Sequence, residues 1–229
     1  MTISPASSAD NALVQRVAAN LGLVRRRIAS TGRDPADVRI VAVTKTFGVE
    51  AVRAAFEAGL RSVGENYVDE LCSKRELTDV AVRWHFLGAL QSNKIPRVLE
   101  AADVLCGVAR RKEVERIAAL RPSMSIYVQV DYTSSQGRNG ADPGDVSGLV
   151  EFARTCGLKV EGLMTVAAVG LEGARKAFAA TNALADDLGL VERSMGMSDD
   201  LEVACELGSS EVRIGRALFG PRMATSTLA

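Results

Sequence analysis

Short apolar runs alternate with stretches of helical spacing about eight times along this chain of 229 residues, and that rhythm limits its possible folds more than any other feature. The runs lie near 40–43, 61–64, 84–87, 104–106, 125–130, 160–166, 193–197 and 212–214. Helical stretches follow at 51–58, from about 67, 95–101, 112–120, 146–155, 172–188, 199–207 and from 217. Regular β–α alternation implies parallel strands, because each strand must return through a crossover helix. Runs this short and this apolar suit strands buried on both faces. Fitting about eight units into 229 residues favours a closed barrel over an open sheet. One further helix is expected ahead of the first strand. Leu13, Val14, Val17, Leu21, Val24 and Ile28 recur at helical spacing, and the pattern breaks at Thr31 and Gly32. The expected fold is α/β: a single (β/α)8 TIM-type barrel with an extra N-terminal helix, one domain over 1–229 with 1–10 loose.

Composition removes several classes of function. Lys plus Arg balances Asp plus Glu at 28 each, so no basic excess marks a nucleic-acid partner. The run Arg25, Arg26, Arg27 reads as a solvated helix face. Four cysteines (Cys72, Cys106, Cys156, Cys205) form no C-x-x-C pair, and a single histidine argues against zinc. No stretch approaches the roughly 18 apolar residues of a membrane span, and the start of the chain has no secretory pattern. A reduced cytoplasmic protein with free thiols is expected. His85 lies within an apolar strand and reads as a packed, hydrogen-bonded core residue, which leaves a Ser-His-Asp triad a poor fit. Neither a phosphate-binding P-loop nor a dinucleotide fingerprint is present.

In a barrel, chemistry sits at the C-terminal ends of the strands. The polar residues expected there are Lys45, Glu65, Asn66, Gln91 to Lys94, Asp131, Thr165, Ser194, Arg213 and Gly215. Side chains alternate along a strand, so Val41, Val43 and Lys45 share one face. If the valines line the interior, the lysine stands on the barrel axis. Partial desolvation there would favour the neutral amine that attacks aldehydes; the other reading is a lysine snorkelling into solvent. Gly215 lies where the last strand turns into a short helix, a place where backbone amides attract phosphate. It equally suits a glycine that only permits the turn. Ser194, at the seventh strand, is placed to donate to a phosphate oxygen, whereas Ser198 reads as a helix N-cap followed by Asp199 and Asp200.

These residues belong to a larger set of motifs. V-T-K-T (43–46), G-E-N-Y-V (64–68), W-H-F-L-G-x-L-Q-x-N-K (84–94), G-L-M-T (162–165), S-M-G-M-S-D-D (194–200) and V-R-I-G (212–215) occur in this order. Together they resemble the pyridoxal phosphate homeostasis proteins (YggS/PROSC). The resemblance spans about residues 40–222 and implies a fold like the N-terminal barrel of alanine racemase. It implies that Lys45 carries pyridoxal 5′-phosphate (PLP) as a Schiff base and that Arg213 faces the pyridine nitrogen. It assigns the phosphate to Ser194, Gly215 and the backbone of Arg216, with Asn66 and Met164 nearby. Two positions depart from the family: Arg138 stands where many members carry lysine, and Arg216 where a small hydroxyl residue is frequent.

An arginine has only donors, so at the pyridine nitrogen it would keep that atom unprotonated and weaken PLP as an electron sink. Racemases with this arrangement use a second acid–base residue from an added domain, and only nine residues follow Gly220 in this sequence. The expected function is therefore PLP binding in vitamin B6 homeostasis without turnover, with possible hand-over to PLP-requiring apo-enzymes. A monomer or weak dimer is expected from the resemblance. The alternatives are a small PLP-dependent racemase or decarboxylase, and a cofactor-free aldolase-type barrel.

Overall fold

The computed structural model describes residues 8–133 and 138–221. It begins with α1 (Ser8–Ala29), which starts inside the stretch expected to be loose; residues 1–7 lie outside the described residues. Strands and helices then alternate as β1 (Arg39–Val43), α2 (Val49–Glu57), β2 (Ser62–Glu65), α3 (Val68–Leu77), β3 (Arg83–Phe86), α4 (Ile95–Ala101), β4 (Val104–Val108) and α5 (Arg111–Leu120). The second half continues with β5 (Ser125–Val130), α6 (Val146–Thr155), β6 (Lys159–Thr165), α7 (Leu171–Asp187), β7 (Glu192–Ser194), α8 (Leu201–Glu206), β8 (Glu211–Ile214) and the short α9 (Arg216–Phe219). The strands form a closed barrel in chain order, and β8 closes it against β1 in parallel with Val41 opposite Arg213. The expected TIM-type architecture and the extra N-terminal helix are both present.

Strand alternation divides the interior into two zones. Ile40, Ala42, Trp84, Phe86, Ile126, Val128, Val212 and Ile214 belong to the large apolar cluster shared with the helices. Val104, Cys106, Tyr127 and Met164 form a separate inner cluster. Where β6 meets β7 the fit requires glycine: a Cβ on Gly162 would stand 1.9 Å from the Glu192 carbonyl oxygen. α1 packs against α2, α8 and α9 through a face that buries Val17, Leu21, Val24 and Ile28. Asn20 Nδ2 donates to the Leu218 carbonyl at 2.8 Å, tying α1 to α9. No helix among the described residues is long and apolar enough to cross a membrane.

The largest departure from the sequence reading falls between β7 and α8. The strand expected over 193–197 stops at Ser194, because Gly196 adopts φ +94° and turns the chain. The helix expected from 199 begins at Leu201, with residues 198–200 in a turn. Ser198 is not the N-cap; Asp200 holds that position. The Ser198 hydroxyl instead accepts from the Ala217 N–H at 3.2 Å, across to α9.

The N-terminal end of the barrel is closed by charge. Arg39 donates to Glu211 and to Glu192, each at 3.1 Å, and Arg83 donates to Glu161 at 2.5 Å. Burial opposes the Arg39 charge, but Glu192 and Glu211 outweigh it and raise its pKa.

Candidate functional site

The C-terminal end of the barrel opens into a cavity of about 590 Å³. Lys45 reaches it from the turn that follows β1, directly after the buried Val43 and Thr44. Val41 and Val43 are buried but absent from the outer apolar cluster, as the shared inward face with Lys45 requires. Six of the seven residues expected at the site line this one cavity: Lys45, Asn66, Met164, Arg213, Gly215 and Arg216. They come from the ends of β1, β2, β6 and β8 and from α9, so only barrel closure brings them together.

Ser194 is the exception. It does not line the cavity; it is fully buried, donates to Glu211 Oε1 at 2.7 Å and accepts from Arg213 Nη1 at 2.9 Å. With β7 ending early, Ser194 packs among the strands and Ser198, past the glycine turn, lines the cavity in its place. The sequence held two serines in one short motif. Strand position favoured the first, and the conformation of Gly196 that selects the second is not visible in composition or spacing.

Arg213 is buried and held rigidly. Nη1 donates to the Ser194 carbonyl at 2.5 Å, and Nη2 to the Thr165 carbonyl at 2.8 Å. Burial pushes its pKa down, opposed chiefly by Glu211, the buried carboxylate two residues earlier on β8. A cation is thus fixed at the cavity wall, with its counter-charge lying deeper and linked to it through the Ser194 hydroxyl.

The remaining wall is largely apolar, with Val43, Phe47, Leu87, Val166 and Met197 joining Met164. A site of this size, mostly apolar with a few fixed polar groups, is of the kind that encloses a small ring-containing ligand. At the rim Arg216 pairs with Asp199. The Arg216 N–H occupies the first helical position of α9, where no intrahelical carbonyl is available to it. Arg138 is exposed beside this opening and donates to the carbonyls of Val166 and Ala167 at 3.3 and 3.2 Å; residues 134–137 before it lie outside the described residues.

His85 is fully buried below the cavity, with Nδ1 3.7 Å from Cys106 Sγ and 3.9 Å from Glu211 Oε2. The expected packing is present, but Nε2 has no hydrogen-bond partner among the described residues. Burial lowers the His85 pKa and raises that of Cys106, in each case disfavouring the charged form. All four cysteines are free, and no described cluster of His, Cys, Asp or Glu side chains is arranged to hold a metal.

A closed barrel with a lysine after its first strand, a buried arginine on its last and a helix start beside them defines a class. The family described as alanine racemase, N-terminal domain, matches residues 14–223. Pyridoxal phosphate homeostasis protein from Pseudomonas aeruginosa is 39% identical over 220 residues, covering 92% of this chain and 96% of that protein. Its counterpart from Escherichia coli is 34% identical over 226 residues, covering 90% and 97%. This chain belongs to that family, the pyridoxal phosphate homeostasis proteins. Among solved structures, PipY of Synechococcus elongatus with PLP bound superposes with a TM-score of 0.74 at 34% identity, covering 86% of this chain and all of that one (100%). Alanine racemase from Corynebacterium glutamicum, at 15% identity and a TM-score of 0.72, shares the fold; this chain covers 63% of it.

Proposed function

We propose that this protein binds PLP in the barrel mouth, linked to Lys45 as a Schiff base, and serves PLP homeostasis without turnover of its own. The observation that carries the reading is one cavity holding an amine, a fixed guanidinium and a helix start. The relatives' names and the PLP-bound PipY support the same ligand.

The residues present fit the cofactor. The Lys45 amine would form the C=N bond to the aldehyde carbon, and its two hydrogens would leave with the aldehyde oxygen as water. The apolar wall of Val43, Leu87, Met164 and Val166 suits an aromatic ring. Arg213, donor-only and already anchored on Ser194 and Thr165, suits an unprotonated ring nitrogen. Gly215, the Arg216 N–H and Ser198 suit the phosphate, with Ser198 taking the role that strand position had given to Ser194. Asn66 lines the wall beside Lys45.

Bound PLP supplies an electrophilic carbon and an electron sink. An arginine at the ring nitrogen weakens the second property and leaves the first intact, which favours carrying over catalysis. PLP-requiring apo-enzymes are the natural recipients.

The test is mass spectrometry of protein reduced with borohydride in the presence of PLP, expected to find the cofactor on Lys45. Labelling chiefly at another lysine would defeat the attachment. Incubation of loaded protein with amino acids, following chiral purity and carbon dioxide, is expected to show no sustained turnover; steady turnover would make the protein a racemase or decarboxylase.

A further inference from the structure

Behind the Lys45 turn lies a buried ionic cluster that the binding reading leaves without a purpose. Lys74 on α3 is 5% exposed, and its ammonium donates to the Thr44 carbonyl (2.8 Å), Glu65 Oε1 (2.7 Å) and Glu70 Oε2 (2.9 Å). The Thr44 hydroxyl donates to the same Glu65 oxygen at 2.5 Å. The Thr46 N–H donates to Glu70 Oε2 at 2.8 Å. Both neighbours of Lys45 are therefore fastened to one cluster, Thr44 through carbonyl and hydroxyl and Thr46 through its amide.

The conformation held there is unusual. Thr46 has φ +67°, in the left-handed region that a β-branched residue avoids. Such a turn persists only where surrounding contacts over-determine it, and the Glu70 carboxylate supplies one at the residue concerned. As a stabiliser of the fold, the cluster is a poor choice. Desolvating several charges cancels much of their attraction, and Glu65 Oε2 has no hydrogen-bond partner among the described residues. Burial accordingly raises the Glu65 pKa, while the bonds from Lys74 and Thr46 outweigh burial at Glu70 and lower its pKa.

We propose that Glu70, backed by Lys74 and Glu65, is a positioning residue that fixes the turn at Thr46 and so aims the Lys45 side chain into the cavity. This rests on PLP attaching at Lys45. Orienting an amine before reaction lowers the entropy lost when the C=N bond forms. The effect should fall on that bond and leave recognition of the ring and phosphate unchanged.

Glu70 is the cluster member nearest to solvent, with its side chain 29% exposed, so Glu70→Ala can be made without emptying the core. Two ligands separate the effects: PLP, and pyridoxine 5′-phosphate, which has the same ring and phosphate but no aldehyde. For Glu70→Ala the equilibrium constant for borohydride-reducible attachment at Lys45 is expected to fall about three- to tenfold, the range for losing one hydrogen bond of ordinary net strength at a part-exposed site. Pyridoxine 5′-phosphate affinity is expected to stay at the wild-type value. Glu70→Gln, which keeps an oxygen to accept from Thr46, is expected to recover most of the attachment. Wild-type attachment in Glu70→Ala, or an equal fall for both ligands, would overturn the proposal while leaving PLP binding at Lys45 intact. Failure of the wild-type protein to attach PLP at Lys45 would instead remove the reading on which it rests.

Discussion

The two ends of the barrel use similar charged residues to opposite effect. At the N-terminal end, Arg39, Arg83 and Lys159 meet Glu161, Glu192 and Glu211, and the interior is closed. At the C-terminal end Lys45, Arg213 and Arg216 border an open cavity, where among the described residues Asp199 is the only acidic one lining the wall. The floor joins its charges to one another across the barrel; the mouth arranges them around an open space. The ends are joined through the inside of the barrel. Arg39 holds Glu211, Glu211 holds Ser194, and Ser194 holds Arg213. Rigidity at the floor thus becomes placement at the mouth.

That contrast can be broken at either end. The largest effect is expected from Lys45→Ala, which should abolish borohydride-fixed PLP while leaving the fold intact, as read by mass spectrometry alongside circular dichroism. Next comes the floor. Glu211→Ala removes the partner of Arg39 and Ser194 from a fully buried position, and urea melts should show a loss of about 3–5 kcal/mol, typical of breaking a buried ion pair. Arg213→Ala should weaken PLP retention by about 1.5–3 kcal/mol with the barrel still folded, measured by equilibrium dialysis. Unchanged retention would place the arginine away from the ring.

The smallest effect concerns acid stability. At Glu161 burial works against ionisation, but the hydrogen bonds from Arg83 and Ser125 and the charges of Arg83 and Lys159 together outweigh it and lower the pKa. A carboxylate whose folded pKa lies below its unfolded value adds stability that is complete above the unfolded value, about 4.3, and is lost as pH falls through the folded one. Glu161→Gln should therefore flatten part of the decline in melting temperature below that pH and leave PLP affinity unchanged. A change in affinity would mean that the ends are coupled along β6 as well as β8.

Much of the barrel is legible in the order of its residues. Strand periodicity depends on neighbours two residues apart, and strands buried on both faces carry their own apolar signature, so the eight strands could be read from order alone and Lys45 placed on one face with Val41 and Val43. Gly215 follows from the chemistry of a strand-to-helix turn, Arg213 from its place at a strand end and Arg216 from the family resemblance; all three line the cavity. The boundaries of β7 and α8 were misplaced, because one glycine at positive φ outweighed an apolar run. Which of Ser194 and Ser198 meets the cavity was decided by that turn. Lys74 gave no sign of burial, since a lysine in a polar helix looks solvent-facing until Thr44, Glu65 and Glu70 are brought around it from two other segments of chain and its own. Local order determined the strands and the helices. The conformation of Gly196 decided which serine lines the cavity, and tertiary structure alone decided which distant charges are paired, because that depends on groups far apart in sequence meeting at distances of about 3 Å.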